Sequence, residues 1–297
     1  MLDRGLWKRL IDLEQEFARR GKRLNRRMIS DVFSVSEQKA RLWEFSLRNR
    51  DIIRHKPGHI NVSNGDRLLG LFDIHIPYQD DSAVEAALSH GDRYDPTIIL
   101  LGGDLIDFYQ ISSFVKNPEK KSMDNELKQT HSFLVSLRNR FPLARIIFME
   151  GNHEYRFERF VLQNASAIYS LVDDLIQQKL GLASLNIEYQ KGFFKIGKLW
   201  FLHGHERPTG GNPEYICNVV FKNVLDHFIC GHHHRTQEKI FKRIDGSTYY
   251  GGSVGYLAGA MDYAPINAWS QGFLTVNYGD NGRFQANLHK IQDGEVY

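Results

Sequence analysis

Asp73 and His75 close the apolar run LLGLFDIHIPY two positions apart, and side chains two apart on a strand point to the same side. Other apolar runs end in the same way. TIILLGGD ends in Gly103-Asp104, with Asp107 three residues on; RIIFMEGNHE ends in Gly151-Asn152-His153-Glu154; KLWFLHG ends in His203-Gly204; and HFICGHHH ends in Gly231 followed by His232, His233 and His234. Any one of these pieces has an ordinary reading, because polar residues commonly close strands and a Gly-His stretch can be a solvated turn. Five of them in order, each behind a run that reads as buried β-structure, point to one site built at strand ends. Carboxylate, amide oxygen and imidazole without thiolate suit Mn²⁺, Fe, Co, Ni or Zn²⁺ and argue against a structural zinc.

The elements that must hold these groups alternate. RLLGLFDIH is followed by a helix near 82–90, TIILLGGD by a helix near 123–140, and then comes RIIFMEGNH. This β-α-β-α-β order predicts a parallel or mixed sheet with polar residues gathered beyond the strand ends. The later half, with the runs GFFKIGKLWFLHG, HFICGHHH, EKIFKRIDGSTYY and GFLTVNY, is more hairpin-like. No internal repeat or low-complexity segment interrupts them.

The chain has 297 residues, 42% hydrophobic and 25% charged, which is the composition of a globular protein. No apolar run reaches the length of a membrane span and the N-terminus mixes acids and bases, so a cytoplasmic protein without a membrane partner is expected. Cys217 and Cys230 are the only cysteines, too few for a disulfide framework. Charge is uneven: residues 1–59 carry 15 Lys and Arg against 8 Asp and Glu, a balance of +7, and the remainder carries 23 against 27, a balance of −4.

That basic front reads as helical. Leu6, Leu10, Leu13 and Phe17 predict an amphipathic helix ending near Gly21, NRRMISDVF a second, and SVSEQKARLWEFSLRNR a third. Ser34 and Glu37 have capping-box spacing, with Ser36 as a rival cap. Three short helices with a Ser-rich turn before the third are helix-turn-helix-like, which would put Lys39, Arg41 and Arg48, with Gln38 and Arg50, on a nucleic-acid-binding helix. A plain three-helix cap or oligomerisation element fits the same pattern. The expected division is a helical unit over 1–56, a linker over 57–66 marked by Pro57, Gly58 and Asn64-Gly65, and a catalytic domain over 67–297.

The strand-end series resembles the calcineurin-like metallophosphoesterase superfamily, whose motifs run Asp-x-His, Gly-Asp, Gly-Asn-His-Glu/Asp, His-Gly and Gly-His-x-His. The resemblance covers about residues 67–276, and GNHEYRFERF and INAWSQGF are similar to members encoded by phages, which would place the protein in a host cytoplasm. It implies an α/β fold, a sandwich of two mixed β-sheets flanked by helices, here preceded by the small three-helix unit. It also implies two divalent metal ions, Mn²⁺ first among the candidates. Asp73, His75 and His234 would hold one, Asn152, His203 and His232 the other, and Asp104 both. A hydroxide held between the ions would be the nucleophile. His153 would stabilise the transition state or protonate the leaving oxygen, oriented by Asp107. Arg156 and Arg159 could reach a substrate phosphate, while His205 and His233 fall outside the ligand set.

Phosphatases and nucleases share this chemistry. The basic front and Lys116, Lys120 and Lys121 favour a phosphodiesterase or nuclease acting on DNA or RNA. A phosphomonoesterase acting on a protein or small molecule is the alternative. Its Ser/Thr protein phosphatase branch fits poorly, because DIHIP lacks a Gly after His75 and GDLIDFY lacks Arg-Gly after Asp107. A non-catalytic nucleic-acid-binding protein with a structural metal site is the third reading, and a spare histidine at His153 speaks against it.

Overall fold

The computed structural model describes residues 4–19, 24–37, 40, 43–44, 58–112, 122–172, 174–206, 214–261 and 267–297. Contacts divide the chain into two units, Met1–Lys56 and Pro57–Tyr297.

In the first unit α1 (Arg4–Arg19) and α2 (Arg26–Phe33) contribute Leu10 and Ile29 to a small core with Leu24, Ala40 and Trp43. Leu6, Leu13 and Phe17, at the spacing that predicted the first helix, pack against that core. Asn25 caps α2, its side chain accepting the Met28 N–H at 3.1 Å. The helix stops at Ser34, which is left-handed at φ 50° and sends its N–H to the Ser30 carbonyl. Ser34 therefore closes one helix instead of opening the next, and the capping-box reading fails there. The Ala40 N–H donates to the Ser36 carbonyl at 2.9 Å, so the following helical turn starts from the rival cap. Lys39, Arg41 and Arg48, with Gln38 and Arg50, lie outside the described residues.

The second unit runs β1 (Gly58–Ile60), β2 (Arg67–Leu71), α3 (Asp81–Tyr94), β3 (Ile98–Leu101), α4 (Met123–Arg140), β4 (Arg145–Met149), α5 (Glu154–Asn164), β5 (Ile187–Gln190), β6 (Phe194–Ile196), β7 (Leu199–Leu202), α6 (Ile216–Val224), β8 (Phe228–Cys230), β9 (Gln237–Lys242), β10 (Thr248–Ser253), β11 (Gln271–Tyr278), β12 (Phe284–Gln292) and β13 (Glu295–Val296). The strands form two mixed sheets, ordered β13-β12-β11-β2-β3-β4-β5 and β1-β6-β7-β8-β10-β9. β2 to β5 are parallel, with β2 and β3 in the register Leu68 to Ile98 and Leu71 to Leu101.

Both faces of the parallel strands are covered, which is why their sequences are unbroken apolar runs. Leu68, Ile98, Leu100, Ile147 and Met149 face Phe194, Ile196, Phe201 and Ile229 of the other sheet. Leu69, Leu71, Ile99, Leu101, Ile146 and Phe148 turn outward to Ala83, Ala87, Leu134 and Leu137 of α3 and α4. On the opposite outer face, Ile216, Cys217 and Val220 of α6 cover Phe228 and Cys230. Each such large side chain taken fully from water contributes about 1.5–3 kcal/mol, and the paired layers leave only strand ends and loops to carry polar groups.

One expectation is corrected. The stretch 57–66 is not simply a linker, because Gly58–Ile60 pairs in parallel with Phe194–Ile196 and extends a sheet. The later half is hairpin-like as expected, with β6–β7, β9–β10 and β11–β12 antiparallel, and β8 lies parallel to both β7 and β10. No described helix is long and apolar enough to cross a membrane.

Candidate metal centre

β2 ends at Leu71, so Asp73 and His75 do not share a direction through strand pleating. Both are left-handed, at φ 52° and 53°, and so are Asp104, His232 and His234 at 50°, 67° and 55°. Non-glycine residues adopt this conformation at a cost, and their clustering here marks a backbone bent to aim side chains. The loops are tied to one another. Asp73 N–H donates to Gly103 O at 3.2 Å, His75 N–H to Asp104 O at 2.9 Å, and Gly231 N–H to His203 O at 2.9 Å.

Gly103, at φ 91°, has no room for a side chain, since a Cβ would lie 2.5 Å from His203 Nδ1. A Cβ on Gly151 would run into Asp104 itself. The glycines of the Gly-Asp and Gly-Asn-His pieces thus let two loops and a histidine meet.

Three groups of donor atoms result: Asp73, His75 and His234; His75, Asp104 and His153; and Asp104, His203 and His232. All but His232 are buried. In the first, His234 Nε2 is 3.4 Å from Asp73 Oδ1 and 3.2 Å from His75 Nε2. In the third, His203 Nε2 lies 3.2 Å from Asp104 Oδ2, and 3.2 Å from Asn152 Oδ1 as well. Asp104 Oδ2 is also 4.0 Å from His75 Nε2 and 3.6 Å from His153 Nε2, so this carboxylate is shared by all sides of the cluster.

The hydrogen bonds fix which nitrogens are free to bind. His75 Nδ1 faces Asp107 Oδ1 at 3.2 Å and His203 Nδ1 faces the Gly102 carbonyl at 3.0 Å; each must therefore be the protonated nitrogen. Their Nε2 atoms then face another imidazole nitrogen and two oxygens, contacts that a shared proton or a cation can satisfy. Asp73 Oδ1 is buried without a hydrogen-bond partner, and a cation would meet it. Burial alone would lower the His203 imidazole, yet Asp104 and Asp73 push it up to about 10. Burial would raise Asp104 and Asp73, and the surrounding imidazoles pull both down. Ionised carboxylates and imidazole lone pairs suit one or more divalent ions.

Beside the cluster, His153 Nδ1 is 3.0 Å from Asp107 Oδ1 and 2.9 Å from the Asp107 carbonyl. Arg156 donates to His153 Nε2 at 2.7 Å and to the Asp107 carbonyl at 2.7 Å. Asp107 is held well below the usual carboxylate range, burial being outweighed by His153 and His75. These groups open on a cavity of about 530 Å³ lined by His75, Asp104, Asp107, Asn152, His153, Arg156, His232 and His234, with Tyr78, Tyr109, Ser112, Met261 and Trp269 as its further walls. Arg159, on the same helix as Arg156, does not line it. His205 and His233 belong to none of the three donor groups. Burial lowers both, His233 to about 4. Lys116, Lys120 and Lys121 lie outside the described residues.

Sequence reasoning gave no role to Glu154. Its carboxylate accepts four backbone N–H groups, Oε2 from Asp104 at 2.9 Å and Gly151 at 2.8 Å, Oε1 from Leu105 at 2.9 Å and Ile106 at 3.1 Å. Burial and the nearby Asp104 push Glu154 up to about 7 against those donors. Glu206 does similar work, taking the His203 N–H at 2.8 Å and the Gly204 N–H at 2.7 Å. The signal was an acid one or three residues beyond a donor histidine, too common a pattern to single out.

Comparison with known proteins finds a family and several similar chains. The model of the calcineurin-like phosphoesterase family matches residues 67–236, more than half of the chain. The Gene 54 protein of Mycobacterium phage L5 is 25% identical over 179 residues, which cover 57% of this chain and 69% of that protein. Among solved structures, Vacuolar Protein Sorting 29 of Cryptosporidium parvum matches 79% of this chain and 96% of its own, at 14% identity and a TM-score of 0.43. The nuclease MPE of Pseudomonas putida matches 74% of this chain and 87% of its own, at 15% identity and a TM-score of 0.31. With the family model spanning every strand-end donor from Asp73 to His234, the chain belongs to the calcineurin-like phosphoesterase family and is a metal-dependent phosphoesterase.

Proposed function

We propose that the protein hydrolyses phosphodiesters of DNA or RNA at a centre of two divalent ions, Mn²⁺ first among them, in the cytoplasm of the cell that holds it. The observation that carries the two-ion reading is Asp104, whose Oδ2 lies within 3.2 Å of His203 Nε2 on one side and 4.0 Å of His75 Nε2 on the other. Asp73, His75 and His234 would hold one ion, Asn152, His203 and His232 the second, and Asp104 both. Such ions supply Lewis acidity for the phosphate oxygens and lower the pKa of water.

The chain's own residues do the rest. Asp107 keeps the His153 proton on Nδ1, which fixes the ring toward the cavity. His153 and Arg156 line the cavity and would stabilise charge on the departing oxygen, and Arg156 is the better phosphate contact of the two arginines because it lines the cavity and Arg159 does not. The preference for nucleic acid rests on the +7 balance of residues 1–59, with Lys39, Arg41 and Arg48 as the phosphate-contacting side chains of the helical unit.

The test is an assay of the full chain with added Mn²⁺ on bis-p-nitrophenyl phosphate, p-nitrophenyl phosphate, and single- and double-stranded DNA and RNA. Hydrolysis of the diester and of a nucleic acid supports the reading. Turnover of the monoester alone would replace it with a phosphomonoesterase, and no turnover of any substrate with metal bound would leave a binding protein.

A further inference from the structure

The cavity beside the donor cluster carries more hydrophobic aromatic surface than phosphate chemistry needs. Tyr78, Tyr109, Met261 and Trp269 line it together with His234 and Arg156. Trp269 stands 4.4 Å from the His234 ring at 76° and 5.4 Å from Tyr256 at 66°, edge-to-face contacts that set the indole beside the donor cluster. Trp269 is half-buried, as are Tyr78 and Tyr109, whose rings lie 6.3 Å apart. Aromatic side chains thus meet the donor cluster inside one space of about 530 Å³.

A ligand that fits must join a phosphoester to a flat, polarisable ring within a few bonds. A nucleotide does so, and base-on-aromatic stacking is tolerant of which base is present. A space of this size takes a ligand of mononucleotide dimensions, not a stacked duplex. Resting on the phosphodiesterase reading above, we propose that Trp269, with Tyr78 and Tyr109 lining the same cavity, holds an unstacked nucleobase next to the phosphate that is cut. The substrate is then a single-stranded or terminal nucleotide, and a base inside a duplex reaches the centre only after leaving the stack.

The test compares three diesters with the full chain and Mn²⁺: thymidylyl-thymidine, the same diester with one base replaced by an abasic tetrahydrofuran, and the doubly abasic diester. The wild type should favour the base-bearing diester over the doubly abasic one by about 10- to 100-fold in kcat/KM, the scale of one stacked base. Trp269→Leu should remove most of that preference, and Trp269→Phe should restore it. Titration with thymidine 5′-monophosphate without added metal should quench tryptophan fluorescence in the wild type and not in Trp269→Leu. Equal rates on all three diesters, or an undiminished preference in Trp269→Leu, would overturn the stacking role while leaving the phosphodiesterase reading intact. Hydrolysis of p-nitrophenyl phosphate with no cleavage of any of the three would overturn both.

Discussion

The two halves of the donor cluster are held in different ways. Around Asp104 and His203 the protein supplies its own bonds: Glu154 takes the Asp104 N–H, Asp104 Oδ1 takes the His153 N–H at 2.8 Å, Glu206 takes the His203 N–H, and Gly102 takes its ring proton. Around Asp73 and His234 atoms are left over, since Asp73 Oδ1, His234 Nδ1 and the neighbouring His233 Nε2 are buried without hydrogen-bond partners. The first half is the more fully tied by the protein's own bonds, and the second leaves lone pairs for an ion although the His232 N–H and Asp107 hold Asp73 Oδ2 and His75 Nδ1. An ion held through Asp104, Asn152, His203 and His232 should therefore be the tighter one.

The largest effect should come from Asp104, the atom group common to both halves. Asp104→Asn should lose both ions and about 10⁴-fold or more in turnover, as when a member of a catalytic unit is removed. Asp73→Asn should lose one ion only. Elemental analysis of the purified variants separates these outcomes, and equal metal loss in the two would erase the distinction between the halves. His153→Ala comes next, with both ions kept and turnover down by about 10²- to 10⁴-fold. If that variant emerged metal-poor, His153 would have to be counted among the ligands.

Glu154→Gln probes the more fully tied half directly. An amide oxygen can serve only part of the four N–H groups that converge on this carboxylate, so stability should fall by about 2–4 kcal/mol. Denaturant unfolding measures it, and an unchanged midpoint would mean that the Asp104 turn holds its shape without Glu154.

A smaller, pH-dependent effect sits behind Asp107. Glu126 on α4 is wholly buried, accepts the Tyr109 N–H at 3.3 Å, and has one oxygen without a partner. Burial first and Asp107 second push it up to about 7. For a carboxyl raised above its unfolded value near ~4.3, the stabilising contribution is complete below that value and is lost as pH rises through about 7. Glu126→Gln should therefore gain about 1–3 kcal/mol on the wild type between about pH 4.5 and 8. Identical pH profiles of unfolding would exclude it.

The smallest effect on chemistry is expected from the first unit. A chain beginning at Pro57 keeps β1 and should hydrolyse a small diester within about twofold of the full-length rate. It should lose DNA affinity and about 0.9 of salt slope for each phosphate contact removed. Retained DNA affinity would make Met1–Lys56 a cap without a role in binding.

The sequence disclosed the donors because metal ligands on parallel strands have few places to go. An unbroken apolar run followed by Asp, Asn or His announces both the buried strand and its polar end, as RIIFMEGNH does for β4. It did not disclose how the donors are aimed. Asp73 and His75 were read through strand alternation, and the observed cause is a pair of left-handed residues beyond the strand, a conformation in which Asp and His are among the commoner non-glycine residues, so neither stands out as a letter. β1 escaped notice because three residues show no periodicity, and its partner β6 lies more than a hundred positions away. Ser34 and Ser36 were equal as letters, and only the end of α2 decided between them. The aromatic lining is assembled from three separated loops, so Tyr78, Tyr109 and Trp269 share no local pattern.

The left-handed backbone at His75, His232 and His234 has an evolutionary consequence. An L-residue in this conformation sits roughly 1–2 kcal/mol above glycine, and asparagine is among the residues that tolerate it. Selection for heat resistance alone would drift toward glycine or asparagine at these positions and leave a sturdier protein with no chemistry. Imidazole persists there only under continued selection on turnover, so a descendant released from its substrate should lose these histidines before it loses the sheets beneath them.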